Sequence, residues 1–144
     1  MAVSGRIISL AVQAMLSSAT GRSCGYGSAP TTSSTPTGAA VPYSVLYPVG
    51  STSDGPPFGD ASADARIVYQ VTSVATTAEQ VEWMADKVRI GMLAQTPRGY
   101  AHPITPPGYV VMSRELDKEE GVTAASGVYS YIQRFAIEVT TLVA

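Results

Sequence analysis

The chain has 144 residues, of which 45% are hydrophobic and 14% are charged, and its net charge is −2. That length corresponds to one ordinary domain, and a charged fraction well below the usual ~25% leaves an uncharged surface that suits partner chains. The charge gives no basic surface for binding DNA or RNA, and a single cysteine excludes an intrachain disulfide and a cysteine-rich metal site.

The first predicted element is a helix from about Ser4 to Ser18. Its sequence imitates a secretion signal, because Arg6 precedes an apolar run that ends in small residues. Gln13 interrupts that run, however, and apolar residues recur at helical spacing, at Ile8, Ala11, Val12 and Met15. A helix with Ser4 as its N-cap and Gly21 just past its end is therefore favoured. No segment is apolar over the ~20 residues that cross a bilayer.

Residues 21–40, GRSCGYGSAPTTSSTPTGAA, are rich in Gly, Ser, Thr and Pro and carry one charge. Such a composition buries too little apolar surface to order itself. Two interpretations stay open at this point. The segment is either a flexible connector or an arm that becomes ordered only against a neighbouring subunit.

Two strands joined by a long loop follow. Residues 41–49 alternate, with one face formed by Val41, Tyr43, Val45, Tyr47 and Val49. Prolines within this stretch suit strand ends or a sheet edge. Residues 66–74 alternate as well, and the loop 50–65 can return the chain antiparallel to make a hairpin. A loop this long is more often functional than idle, and Phe58 at its centre is predicted to anchor it.

A second helix is predicted to start at Thr76 or Thr77, because either residue fits a capping box. Its main apolar stripe consists of Val81, Met84, Ala85, Val88 and Met92. Trp83 and Ile90 fall on nearly the opposite side, since each residue turns the helix by about 100°. That second patch is covered either by a loop or the first helix, or by another subunit, for which Trp is a favoured anchor.

The C-terminal part predicts two more strands. The third runs from Tyr109 to Leu116, the acidic stretch 115–121 is interpreted as a solvated hairpin tip, and the last strand runs from Tyr129 to Val139. The order α-β-β-α-β-β predicts an α+β fold of one domain over residues 1–144. We expect an antiparallel or mixed sheet of about four strands with two helices packed on one face.

Residues that carry out chemistry are scarce in this sequence. The only histidine, His102, cannot build a histidine-rich zinc site, and Cys24 has no histidine near it in the sequence. Asp54, Asp60 and Asp64 lack the spacing of an EF-hand, so we interpret them as turn residues. The sequence therefore predicts no catalytic, cofactor-binding or metal-binding residues, and no enzyme.

Five motifs follow one another along the chain: PYSVLYPVG, SDGPPFGDASADARIVYQVTSVA, TAEQVEWMADKVR, TPPGYVVMSRELD and YSYIQRFAIEVT. In this order they resemble one known family, the tail terminator proteins of long-tailed phages, in their actinobacterial branch. The resemblance covers the first helix and the chain from about Pro42 to the C-terminus. Residues 21–40 depart from the family, since this stretch is longer than the family needs.

The resemblance implies a structural role in the virion. Tail terminators form a hexameric ring on the tail tube, stop the polymerisation of the major tail protein and give the head connector a docking surface. The implied partners are further copies of the chain, the major tail tube protein and a head–tail connector or neck protein. No cofactor, no membrane and no sequence-specific nucleic acid is implied, although DNA has room to pass through the ring. Assembly would take place in the host cytoplasm, and the mature location would be the neck of the virion.

A ring needs two different contact patches on each subunit. We expect Trp83 and Ile90, or the strand around Tyr43 and Tyr47, to contribute to one such patch, together with Phe58. The loops 21–40 and 50–65 are the candidates for the faces that meet the tube and the connector.

Two other functions are compatible with the sequence. The first is another neck component, such as a head-closure or adaptor protein, which would occupy a different layer of the virion. The second is a small α+β ligand-binding or enzymatic domain that uses His102 and the aspartates of the 50–65 loop.

Overall fold

The computed structural model describes residues 3–29, 41–54 and 64–142. These ranges form α1 (Gly5–Thr20), β1 (Cys24–Tyr26), β2 (Tyr43–Asp54), β3 (Asp64–Ala75), α2 (Ala78–Leu93), β4 (Gln95–Thr96), β5 (Gly99–Tyr100), β6 (Tyr109–Ala125) and β7 (Val128–Thr141). The fold is α+β, with two helices and a mixed sheet. The observed order differs from the predicted order α-β-β-α-β-β by three additional short strands, β1, β4 and β5.

Five strands form one sheet in the order β1-β2-β3-β7-β6. β1 is parallel to β2, and all other neighbours in this sheet are antiparallel. β4 and β5 form a separate two-stranded ribbon. The prediction of about four strands missed β1, β4 and β5, because strands of two or three residues are too short to display an alternation of side chains.

The predicted hairpin of β2 and β3 is confirmed, but both strands are longer than expected. Their pairing continues as far as Asp54 opposite Asp64, so residues 50–54 and 64–65 belong to the strands and not to the loop. Backbone hydrogen bonds can extend a ladder past the point where apolar side chains stop alternating. The remainder of the predicted loop, including Phe58, lies outside the described residues, as do residues 30–40 of the predicted connector.

Both helices begin close to the predicted residues. Ser4 caps α1 by accepting a hydrogen bond from the Ile7 amide at 3.4 Å, and Gly21 ends the helix with a φ of 69°. Thr77 caps α2 in the same manner through the Gln80 amide, at 3.2 Å. Within the described part of the chain, no helix is long and apolar enough to cross a membrane.

The core lies between the two helices and one face of the sheet. Along β3, buried and half-buried side chains alternate over the whole strand, as expected for a strand with one covered face. The core consists chiefly of Ile67, Tyr69, Val71, Leu46, Phe135 and Ile137 from the sheet and of Ile8, Val12, Leu16, Met84, Val88 and Met92 from the helices. Both helices therefore pack on the same face.

Tyr69 brings a polar group into this core. Its hydroxyl lies 2.9 Å from the hydroxyl of Ser9 on α1, which satisfies the buried oxygen and joins the helix to the centre of the sheet. Burial raises the pKa of Tyr69 to about 12, and the phenol therefore stays neutral.

The two helices contact each other at a glycine. A Cβ on Gly91 of α2 would lie 3.0 Å from the Cβ of Ala19 on α1. That distance is shorter than an ordinary contact between two carbon atoms. Small residues at both positions thus set how closely the helices approach.

β6 is the largest departure from the sequence-based expectation. The strand continues to Ala125, so residues 115–121 are not a hairpin tip. The turn is formed instead by Ser126 and Gly127, whose φ angles are 53° and 78°, the positive values that tight two-residue hairpin turns favour. β6 is an edge strand of the described sheet with three register shifts, and edge strands tolerate charged residues and bulges.

Candidate interaction surfaces

The side of α2 that points away from the core carries the first candidate surface. Val81, Met84 and Val88 fill the buried side of the helix, and Trp83 and Ile90 fall opposite them. Trp83 is 45% exposed and Ile90 is 52% exposed. We call this side the outer α2 surface, formed by Glu79, Glu82, Trp83, Asp86, Lys87 and Ile90. Neither α1 nor any described loop buries its two large apolar side chains.

The charged groups of the outer α2 surface differ in their pairing. Asp86 accepts a hydrogen bond from Arg89 at 2.8 Å, and the Lys87 ammonium lies 5.5 Å from the centre of the Trp83 ring. Glu79 and Glu82 have no ion pair within the described residues. The surface therefore combines an exposed aromatic ring with two carboxylates that lack a cationic partner.

A shallow cavity adjoins Trp83. Its volume is about 270 Å³, and it is lined by Arg22, Pro42, Glu79, Gln80 and Trp83. The indole ring thus borders a concave surface, where an apolar side chain of another molecule could be enclosed on more than one side.

The second candidate surface is the sheet face that the helices leave uncovered. The strand registers place alternate residues of β2, β3 and β7 there. We call this the open sheet face; its residues include Tyr43, Val45, Tyr47, Arg66, Val68, Gln70, Thr72, Val74, Ser130, Ile132, Arg134, Ala136 and Glu138. Tyr43 and Tyr47 are half-buried, and together with Val45, Val74 and Ile132 they form its apolar part.

Arg134 lies at the border of that apolar part. It is placed opposite Gln70 on β3 and opposite Lys118 on β6. Its Nε is buried without a hydrogen-bond partner, and within the described residues its guanidinium forms no ion pair. Arg66 on the same face differs, since it contacts Glu115 at 3.0 Å. Among the described residues, Arg134 is thus a cation on the open sheet face without an anionic partner.

A polar cluster joins α2 to the sheet. Gln133, fully buried on the core face of β7, donates from Nε2 to the Ala85 carbonyl at 3.1 Å and to Glu119 at 2.9 Å. Glu119 in turn accepts from Arg89 at 2.6 Å. These contacts satisfy the buried amide nitrogen, whereas the Gln133 Oε1 is buried without a partner in the described part of the chain. They position the helix over β6 and β7, so we assign the cluster to the fold.

The charge state of Glu119 follows from these neighbours. Partial burial raises its pKa, but hydrogen bonds from Gln133 and Arg89, with the charge of Arg89, outweigh that effect. The net result is a pKa below the ordinary value, so the carboxylate is held in its charged form.

Arg114 is a second arginine that the sequence analysis did not single out. It is buried at the end of α2, where Nη1 donates to the Met92 carbonyl at 3.2 Å and the guanidinium lies 4.2 Å from the Tyr100 ring centre. Desolvation lowers its pKa. A cation at a helix C-terminus is stabilising, and the contact fastens the β4–β5 ribbon to the domain.

The predicted interface residues fall on two separate surfaces. Trp83 and Ile90 share the outer α2 surface, whereas Tyr43 and Tyr47 lie on the open sheet face, on the far side of the sheet from the helices. The sequence did not indicate Arg134 as a candidate interface residue. A single arginine in an alternating strand does not show whether it has an anionic partner. Its position in register with Tyr47 and Gln70 depends on strand pairing, which the sequence does not specify.

The candidates for chemistry are not brought together. His102 is half-buried in the loop before β6, and Cys24 is buried in β1, where desolvation raises the pKa of its thiol. Within residues 3–29, 41–54 and 64–142, no three metal-ligating side chains are grouped. Asp60 lies outside these ranges.

Known proteins give no guide to which surface is used. The chain matches no protein-family model, and no curated protein matches it at a significant level. A function therefore has to be argued from the two surfaces and from the motifs in the sequence.

Proposed function

We propose that this chain is a virion structural protein that forms a ring on the end of a phage tail tube. The ring ends polymerisation of the tube and joins the tail to the head connector. Its partners are further copies of the chain, the major tail tube protein and a neck protein. The chain performs no catalysis in this role.

The observation that carries the proposal is the exposure of Trp83 and Ile90 on a helix whose opposite side is fully buried. A tryptophan can remove 150–250 Å² from water, roughly 4–6 kcal/mol at about 25 cal/mol per Å². Much of that gain is left unused while the ring of Trp83 faces solvent. Aromatic residues in such positions are typical anchors of protein–protein contacts.

The second support is the arrangement of the two surfaces. A closed ring needs a heterologous contact, in which one patch of each subunit meets a different patch of the next. The outer α2 surface and the open sheet face lie on opposite sides of the two-layer domain, so one copy can engage two neighbours at once. A twofold dimer would need only one self-complementary patch.

The specific role as a tail terminator comes from the motif resemblance. Tail assembly in the absence of the protein tests this role. We expect assembly without this protein to yield tails of uncontrolled length, because nothing stops the polymerisation of the tube. Electron microscopy of tails from a phage that lacks the gene measures this directly. Tails of normal length that fail to join heads would contradict the terminator role and indicate a head-closure or adaptor protein instead.

A further inference from the structure

We propose that the outer α2 surface of one copy docks on the open sheet face of the next copy, with Glu79 pairing with Arg134. This inference rests on the proposed ring and names the contact that closes it. The occupant of each surface is therefore a second copy of this chain.

Charge complementarity is the first argument. Most charged side chains near the two surfaces have partners within their own copy: Asp86 with Arg89, Lys118 with Glu120, and Arg66 with Glu115. Glu79 and Glu82 on the helix and Arg134 on the sheet are left without an ion pair in the described part of the chain. Lys87 on the helix and Glu138 on the sheet also lack an ion pair in the described part of the chain. Opposite charges are therefore available across the two surfaces, and Glu79 with Arg134 is one such pair.

Arg134 supplies the second argument, since its Nε is buried and has no acceptor. A buried donor without a partner is costly, and a carboxylate is the acceptor that matches a guanidinium best. The Nε atom itself is shielded from other molecules, so a carboxylate from another copy would pair with the terminal nitrogens of this guanidinium. Glu138, the acidic residue of β7 on this face, lies four residues along the strand from Arg134, about 13 Å away.

Spacing is the third argument. Glu79 precedes Trp83 by four residues, or about 6 Å of helix rise. Ile132 precedes Arg134 by two residues, or roughly 7 Å of strand. With Glu79 against Arg134, Trp83 therefore falls over the apolar part of the open sheet face, near Ile132. A single contact would then bury the indole of Trp83 and pair the charges of Glu79 and Arg134.

Charge reversal tests the docking. Arg134→Glu and Glu79→Arg are each expected to weaken self-association by roughly tenfold or more, because each places like charges in contact. The double variant Arg134→Glu with Glu79→Arg restores the opposite charges, and its association is expected to return to within about threefold of the wild type. Sedimentation velocity over a concentration series measures all four proteins.

Arg98→Glu is the matched control, because Arg98 is an exposed arginine in the β4–β5 turn without an ion pair in the described residues. It changes the net charge as Arg134→Glu does and is expected to leave assembly unchanged. Urea unfolding of each variant at a dilution that keeps it monomeric separates loss of fold from loss of contact.

The outcomes distinguish the docking from the proposed function. If Arg134→Glu does not weaken the rings, or if the double variant does not recover association, the docking is overturned but the proposed ring is not. Unchanged rings with impaired tail joining would place a different partner on the open sheet face and would also overturn it. A wild-type protein that stays monomeric would overturn both.

Discussion

At the scale of single residues, exposure and pairing distinguish side chains that serve the fold from those that are available to a partner. Gln133 and Arg114 are polar and buried, yet each reaches a backbone carbonyl of α2, which explains their place in the core. Trp83 shows the reverse case, since it is large and apolar and faces water. Hydrophobicity alone would have placed Gln133 and Arg114 at the surface and Trp83 in the core.

Glu119 gives a prediction about pH. Its pKa in the folded protein lies below the ordinary value of about 4.3. Its stabilising contribution is therefore fully present above about pH 4.3 and is lost as the pH falls through the folded pKa. We expect Glu119→Gln to lower the free energy of unfolding by about 1 kcal/mol at pH 7, the scale of a lost charge-assisted hydrogen bond near the surface.

The difference between Glu119→Gln and the wild type should shrink as the pH is lowered below about 4.3. The carboxylate is then protonated first in the unfolded chain and, below its lowered pKa, also in the folded protein. Urea titrations at several pH values measure it. Glu120→Gln is the control, since the ion pair of Glu120 within the described residues is the long one to Lys118, at 3.4 Å. A difference that is constant from pH 7 to pH 3 would contradict the assigned role of the charge.

At the scale of elements, the sequence predicted the helices and strands whose apolar residues recur periodically, and it missed those without such a pattern. Both helices and the core side of β3 follow from periodic apolar residues and capping side chains. The acidic stretch 115–121 was predicted wrongly as a turn, because its charges hid an edge strand. The dipeptide Ser126–Gly127 was the better turn signal, since only that pair has two positive φ angles.

The contact between the helices gives a prediction at this scale. Gly91→Val is expected to lower the free energy of unfolding by about 1–3 kcal/mol, because the added side chain has to displace α1 at Ala19. Gly5→Ala is the matched control, since a Cβ at Gly5 meets nothing within 4 Å. Adding Ala19→Gly to Gly91→Val should recover part of the loss. Urea unfolding measures these variants, and an unaffected Gly91→Val protein would contradict the close approach.

At the scale of the whole molecule, the outer α2 surface and the open sheet face lie on opposite sides of one domain. The sequence indicated the spare side of α2, because the position of Trp83 follows from helix geometry alone. It could not place Tyr47 in register with Arg134 across Gln70, since that arrangement is created by the order β2-β3-β7 and its pairing. Long-range strand pairing is the information that one sequence carries least explicitly.

Native mass measurement of the purified protein shows whether the chain assembles into a ring. We expect the wild type to give one closed oligomer with a discrete mass and Trp83→Ala to give mainly smaller species. Because Trp83 is 45% exposed and otherwise packed on its own copy, the variant is expected to lose about 1–2 kcal/mol of its free energy of unfolding and still to fold. A wild-type protein that remains a monomer at high concentration, or a Trp83→Ala protein that forms the same oligomer, would contradict the account.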